Sequence, residues 1–137
     1  YSSSLYYECD YEGSLDKCEM CMTLALENKD TNFYLNSLIN YASIQYAYAS
    51  TLADLCEQEK LLDDSKQKYL LVQKNAAGIN IEAQANALWG LGDLERYKGN
   101  TNSALNLYQD ALDILKKIGN AYAIDQLENI IKNINIA

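Results

Sequence analysis

Four cysteines are the residues best equipped for chemistry in this chain: Cys9, Cys18, Cys21 and Cys56. Four thiolates can hold a zinc ion when their spacing lets them converge. Cys18 and Cys21 make a Cys-x-x-Cys pair, but Cys9 and Cys56 do not supply the second pair that such sites use. Both paired cysteines also fall where a helix would bury them, and there a reduced thiol packs as a small hydrophobe. The expectation is no metal and no cofactor. His is absent, so the commonest general base is missing. There is no Gly-rich phosphate loop and no nucleophile elbow. The chain is therefore expected not to be an enzyme. With 19 acidic against 11 basic residues its net charge is −8. That field repels phosphate backbones and anionic lipid, so neither nucleic acid nor membrane is an expected partner. It mildly favours a basic or amphipathic polypeptide, although acidity also serves solubility alone.

The elements that would position these residues are helices. Pro is absent and Gly occurs only 6 times, and both residues disfavour helix interiors. Gly78-Ile79-Asn80 joins a stop signal to a start signal. After it, Ala85, Leu88 and Gly92 recur at helical spacing, as do Leu91 and Leu94. Gly99-Asn100 interrupts that pattern. A second helix follows, with Ala104, Leu105, Tyr108, Ala111, Leu112 and Leu115 on its apolar side, and Gly119-Asn120 ends it. Two helices joined by a tight Gly turn make a helical hairpin.

The second-helix pattern recurs. Ala104, Tyr108 and Ala111 are spaced by four and then three, and so are Ser65, Tyr69, Val72 and Ser14, Cys18, Cys21. Small, bulky, small along one stripe lets a helix seat closely against two neighbours. The first-helix pattern recurs too: Leu35, Leu38, Ile39, Ala42 and Ile44 match Ala85, Leu88, Trp89, Gly92 and Leu94 at an offset of fifty. Repeats of this length are the mark of a solenoid, in which no unit buries its apolar face alone. From Thr31 to Glu57 no breaker is visible, which predicts one long helix. Glu57-Gln58-Glu59 and Asp63-Asp64 are read as flanking a helix boundary, with Asp63-Asp64 offsetting a macrodipole. Tyr1 to Glu8 is too short for a full first helix, so the chain is read as an excised domain with an open N-terminal end. Residues Tyr122 to Ile134 read as a capping helix with Ile124, Leu127, Ile130, Ile131 and Ile134 inward. No apolar run approaches the roughly 20 residues that span a bilayer, and no signal peptide is visible. The expected location is cytoplasmic.

Ala85 to Ile118 resembles the tetratricopeptide repeat, through Leu91-Gly92, the turn at Gly99, and Ala104, Tyr108 and Ala111. Cys9-Asp10-Tyr11-Glu12-Gly13-Ser14-Leu15 is similar to the turn and second-helix start of the same motif. Lys116 stands where that motif often has Pro, and Glu95 where it has an aromatic residue. The resemblance implies an all-α, right-handed solenoid of antiparallel helical hairpins, with about three repeats and a C-terminal capping helix. The expected organisation is a single domain over 1–137: a second helix at 10–29, hairpins at 31–77 and 80–118, and a cap at 121–135.

In such a superhelix the first helices line a concave groove that holds a peptide or helix of another protein. Carried onto this chain, the groove residues are Asn36, Asn40, Ser43, Tyr46, Asn86, Trp89, Asp93, Arg96 and Tyr97, with Ile39, Ala47 and Gly90 between them. Trp89 and Asp93 replace the Lys and Asn that hold an acidic C-terminal tail in some members, so that clamp is incomplete. Trp89 fits either a binding anchor or packing between helices. Among Tyr34, Tyr41, Tyr46 and Tyr48, Tyr41 and Tyr48 share a face and Tyr46 lies off it. The implied function is a non-catalytic scaffold or adaptor. The alternative is a self-assembly or docking module of a larger signalling regulator, acting through the open end at Leu5, Tyr7 and Leu15.

Overall fold

Capping chemistry sets the helix starts. Asp30, Asp54 and Asn80 each turn a side-chain oxygen onto the amides of the following turn: Asp30 accepts from Phe33, Asp54 from Cys56 and Glu57, and Asn80 from Ala83. Such caps satisfy amides that have no partner inside the helix. Four turns carry a positive φ, at Lys29, Gly78, Gly99 and Gly119. Gly119 closes its helix at φ 82° and returns its amide to the Leu115 carbonyl, a conformation that costs glycine nothing. At the first turn the same role falls to Lys29, at φ 54°.

The computed structural model describes residues 11–136, and among them it contains six helices and no strand. They are α1 (Tyr11–Glu27), α2 (Thr31–Ala49), α3 (Leu55–Ala76), α4 (Ile81–Tyr97), α5 (Thr101–Ile118) and α6 (Ala121–Ile136). The fold is all-α. Cys9, and the Leu5 and Tyr7 of the expected open end, lie outside the described residues. Among those residues no helix is long and apolar enough to cross a membrane.

The expected single helix from Thr31 to Glu57 is two helices with a turn between them. Ser50 Oγ donates to the Ala47 carbonyl at 2.6 Å, and Thr51 Oγ1 to the Tyr48 carbonyl at 2.7 Å. These hydroxyls occupy acceptors that a continuing helix would use, and Asp54 then starts α3. Sequence periodicity missed the break because no Gly or Pro marks it. The boundary also moves away from Asp63 and Asp64, which lie inside α3, so Asp64 does not offset the macrodipole at its start. Asp64 instead meets Lys68 at 2.7 Å and accepts from Gln45.

Side-chain pairs give the helix directions. Tyr41 reaches Glu19 and Tyr48 reaches Glu12, so numbers rise on α2 as they fall on α1. Ser43 meets Tyr69, and the Ala49 carbonyl meets Gln58, so α3 runs antiparallel to α2. Tyr69 lies under Gly90 while Gln58 bonds Tyr97, which makes α4 antiparallel to α3. Asn32 bonds Asn80 near the start of α2 and α4, and Tyr46 meets Tyr97 near their ends. Helices α2 and α4 therefore lie side by side and parallel. Each helix packs on the next in sequence, and α2 also packs on α4.

Two apolar clusters fill the interior. Leu35, Leu38, Ala42, Leu62, Tyr69, Val72, Leu91 and Leu94 join α2, α3 and α4. Ala85, Leu88, Ala104, Tyr108, Ala111, Leu115 and Leu127 join α4, α5 and α6. Helix α4 contributes to both and is the structural centre. The small–bulky–small stripes are buried: Ser14 and Cys18 on α1, Ser65, Tyr69 and Val72 on α3, and Ala104, Tyr108 and Ala111 on α5. Cys21 is only half-buried.

Candidate functional site

The two parallel helices α2 and α4 present the residues singled out for the groove. Asn36, Asn40 and Ser43 are exposed along α2, while Tyr46 is half-buried on the flank toward α4. On α4, Asn86, Trp89 and Asp93 are half-buried, and Arg96 and Tyr97 are exposed. Spacings of three and four keep each set on one side of its helix.

Two tyrosines from beneath reach this face. Gly90 has no Cβ, and one placed there would lie 2.2–2.7 Å from the Tyr69 ring. Through that gap Tyr69 of α3 brings its hydroxyl to Ser43 Oγ at 2.8 Å. Gly92 clears the ring of Tyr108 in the same way, with a Cβ position 2.7 Å from it. Tyr108 of α5 donates its hydroxyl to Asp93 Oδ1 at 2.5 Å. Both rings are almost wholly buried, so each hydroxyl needs such a partner. Tyr46 closes the gap between α2 and α4 edge-on against Tyr97, with ring centroids 5.8 Å apart and planes at 86°. Gln58 of α3 then donates to the Tyr97 hydroxyl at 2.6 Å.

The electrostatics tie the cluster together. Burial raises the Asp93 carboxyl above its ordinary pKa of 3.8, against the hydrogen bond from Tyr108 and the charge of Arg96. Burial pushes the Tyr69 hydroxyl up to about 12, with the Asp93 charge adding to it and Ser43 opposing. Burial likewise raises Tyr108, helped by the Asp93 carboxylate, and Tyr46, again with Asp93 contributing. Asp93 thus sits at the electrostatic centre of a tyrosine-framed site. At neutral pH all three hydroxyls stay protonated and can serve as donors.

No protein-family model matches the chain, and no curated protein matches it. What the site can do rests on its own geometry.

Of the nine groove residues, contacts and charge bring five together: Ser43, Tyr46, Asp93, Arg96 and Tyr97. Asn36, Asn40 and Asn86 share the two helix faces without joining the cluster. Trp89 packs against the α4–α5–α6 cluster, so its indole serves packing on at least one side. Sequence reasoning missed Tyr69, Tyr108 and Gln58 as site residues. The legible signal was Tyr, rather than a purely apolar residue, at the bulky position of α3 and α5, with glycines at 90 and 92 on α4.

The opposite flank of α2 is tied down. Tyr41 donates to Glu19 Oε1 at 3.0 Å and carries Lys68 Nζ 4.5 Å above its ring. Tyr48 stacks on Tyr11 at 5.2 Å. Tyr48 and the Tyr41 hydroxyl thus serve the α1–α2 contact, the Tyr41 ring also meets α3, and Tyr46 alone of the three turns toward α4. Among the described residues no three His, Cys, Asp or Glu side chains are placed to hold a metal ion. Cys18 lies in the core, whereas Cys56 is exposed at the start of α3.

Proposed function

We propose that this chain is a tetratricopeptide-like solenoid whose α2–α4 face holds a peptide or a helix of a partner protein. In this reading α2–α3 and α4–α5 are successive right-handed repeats, α1 is the second helix of a preceding one, and α6 is the cap. The chain is then a non-catalytic adaptor in the cytoplasm, and its acidic balance favours a basic or amphipathic partner. One observation carries the proposal. Parallel, adjacent α2 and α4 expose polar side chains at helical spacing, while buried Tyr69 and Tyr108 deliver hydroxyls to that same face through glycine gaps. Ser43 and Asp93 are thereby held in fixed geometry by partners in the layer beneath, as a preorganised recognition face requires.

The test is selection of a randomised dodecapeptide library on the full chain, followed by affinity measurement of the recovered peptides. Asn40→Arg and Tyr97→Ala change the face without touching either buried cluster. Recovered peptides that bind these variants about tenfold or more weakly place binding in the groove, since hot spots lie at well-packed aromatic centres. Peptides indifferent to both variants, or no recovered peptides at all, overturn the reading.

A second reading has its own observation. Helix α1 exposes Met20, Leu24 and Leu26, each at least half exposed. Met20 and Leu24 lie one turn apart on the same side of the helix, and clustered exposed apolar side chains mark association surfaces. Self-assembly through this end predicts a concentration-dependent dimer by light scattering that Leu24→Lys dissolves. A monomer at high concentration removes this reading.

A further inference from the structure

Resting on the groove reading above, we propose that the Asp93 carboxylate, close to Tyr46 on the α2–α4 face, is the specificity site of the groove and takes a Lys or Arg side chain of the bound peptide. Asp93 is an anion held partly out of water. Its one side-chain hydrogen bond comes from Tyr108, onto Oδ1. Among the described residues no Lys or Arg forms a direct ion pair with it: the exposed Arg96 acts on it only at longer range and turns to the Tyr108 hydroxyl, leaving the second carboxylate oxygen without a side-chain partner. A partly desolvated carboxylate has already lost part of its hydration on folding, so a charge-assisted hydrogen bond from a cation there offsets more than it would at a fully solvated carboxylate.

The surroundings beside Asp93 offer a cation further partners. Tyr46 and Tyr97 stand at 86° to one another, which offers a ring face and a ring edge at one corner, and cations bind over ring faces. The Tyr69 hydroxyl lies close enough to feel the Asp93 charge, so the floor of the site is polar. The whole chain carries a net charge of −8, which draws basic peptides toward it and repels acidic ones. An acidic peptide tail would have to place its carboxylate against Asp93, where like charges oppose binding.

The experiment reads the peptide pool selected on the full chain. Lys or Arg enriched at one fixed position, with that enrichment absent from a pool selected on Asp93→Asn, is the expected result. Asn keeps an oxygen to accept from Tyr108, so the variant retains the fold, and circular dichroism checks it. A second arm leaves the protein untouched: the conserved Lys or Arg of a recovered peptide is replaced by norleucine. Affinity should fall about tenfold or more, in line with loss of a charge-assisted hydrogen bond, and the difference should shrink in high salt. Peptides that bind the groove with no fixed cationic position, or that tolerate norleucine, overturn the cation assignment while leaving the groove reading intact. Failure to recover any groove-dependent peptide ends both.

Discussion

Gly90 separates two opposite expectations for one methyl group. Ala exceeds Gly in helix propensity by about 1 kcal/mol, so a helix seen in isolation would gain from Gly90→Ala. In the fold that methyl would meet the Tyr69 ring at 2.2–2.7 Å. Tyr69 cannot swing away, because its ring is 4 % exposed and its hydroxyl is tied to Ser43. Overpacking of this kind costs about 1–3 kcal/mol, so Gly90→Ala should destabilise, read as a lower urea midpoint at unchanged slope. A neutral or stabilising result would show that the ring moves freely. Asp93 gives a second prediction at this scale, with a definite sign. Its native pKa lies above the unfolded value of 3.8. Between those values the native state binds more protons than the unfolded one, so stability falls as pH rises through the window, and the penalty is full above it. Asp64 runs the other way. Burial acts to raise its pKa, but the hydrogen bonds from Lys68 and Gln45 outweigh that and the net shift is downward. Its contribution is present above 3.8 and is lost as pH falls. Asp93→Asn removes only the first effect. Its stability relative to the parent should therefore be more favourable near pH 7 than near pH 3, by urea titration at both. An unchanged difference would mean that Asp93 is solvated like any surface carboxylate.

Helix boundaries are decided by a few side chains at each end. Asp54 accepts from the amides of both Cys56 and Glu57, and no other side chain caps α3. Asp54→Ala should cost about 0.5–2 kcal/mol, with the loss appearing as faster amide exchange in the first turn of α3. Asn100, at the start of α5, makes no such cap bond and instead donates to Glu95 at 2.8 Å. Asn100→Ala should leave the α5 amides unchanged, so the two variants separate capping from loop contacts. The same local chemistry made the 31–57 segment hard to read. Apolar period continues through Ser50–Asp54, and only the hydroxyl-to-carbonyl bonds and the Asp54 cap, each a matter of side-chain conformation, turn the chain. Starts at Asp30 and Asn80 were easier, since each stands before a fresh helical period and beside a turn.

Across the whole molecule, stability should be graded. Helix α4 supplies both apolar clusters, whereas α6 rests on α5 and, among the described side chains, contributes one that is fully buried, Leu127. Local opening free energy follows burial and packing. Amides of α4 should therefore exchange slowest, and those of the terminal α6 faster than those of α2 to α5. Leu127→Ala should release α6 while sparing α2 and α3, and hydrogen exchange followed by mass spectrometry resolves both. Uniform protection across α4 and α6 would mean that the chain unfolds as one unit.

Composition and period alone determined that this chain is helical. The lack of Pro, the Gly turns and the 3–4 spacing each act within a few residues, where backbone sterics and capping decide the outcome. The buried stripes of α3 and α5 were legible for the same reason: Ser65, Tyr69 and Val72 must face inward wherever that helix packs. Tertiary structure alone decided what the buried tyrosines do. A Tyr at a core position buries its ring by the hydrophobic effect, but its hydroxyl must find an acceptor or donor wherever the neighbouring helix brings one. Ser43 and Asp93 are distant in sequence from Tyr69 and Tyr108, and they meet them because Gly90 and Gly92 let α4 approach closely. Likewise Trp89 could face a groove or a core by its spacing, and the packing of α4 against α5 and α6 sets it against the core.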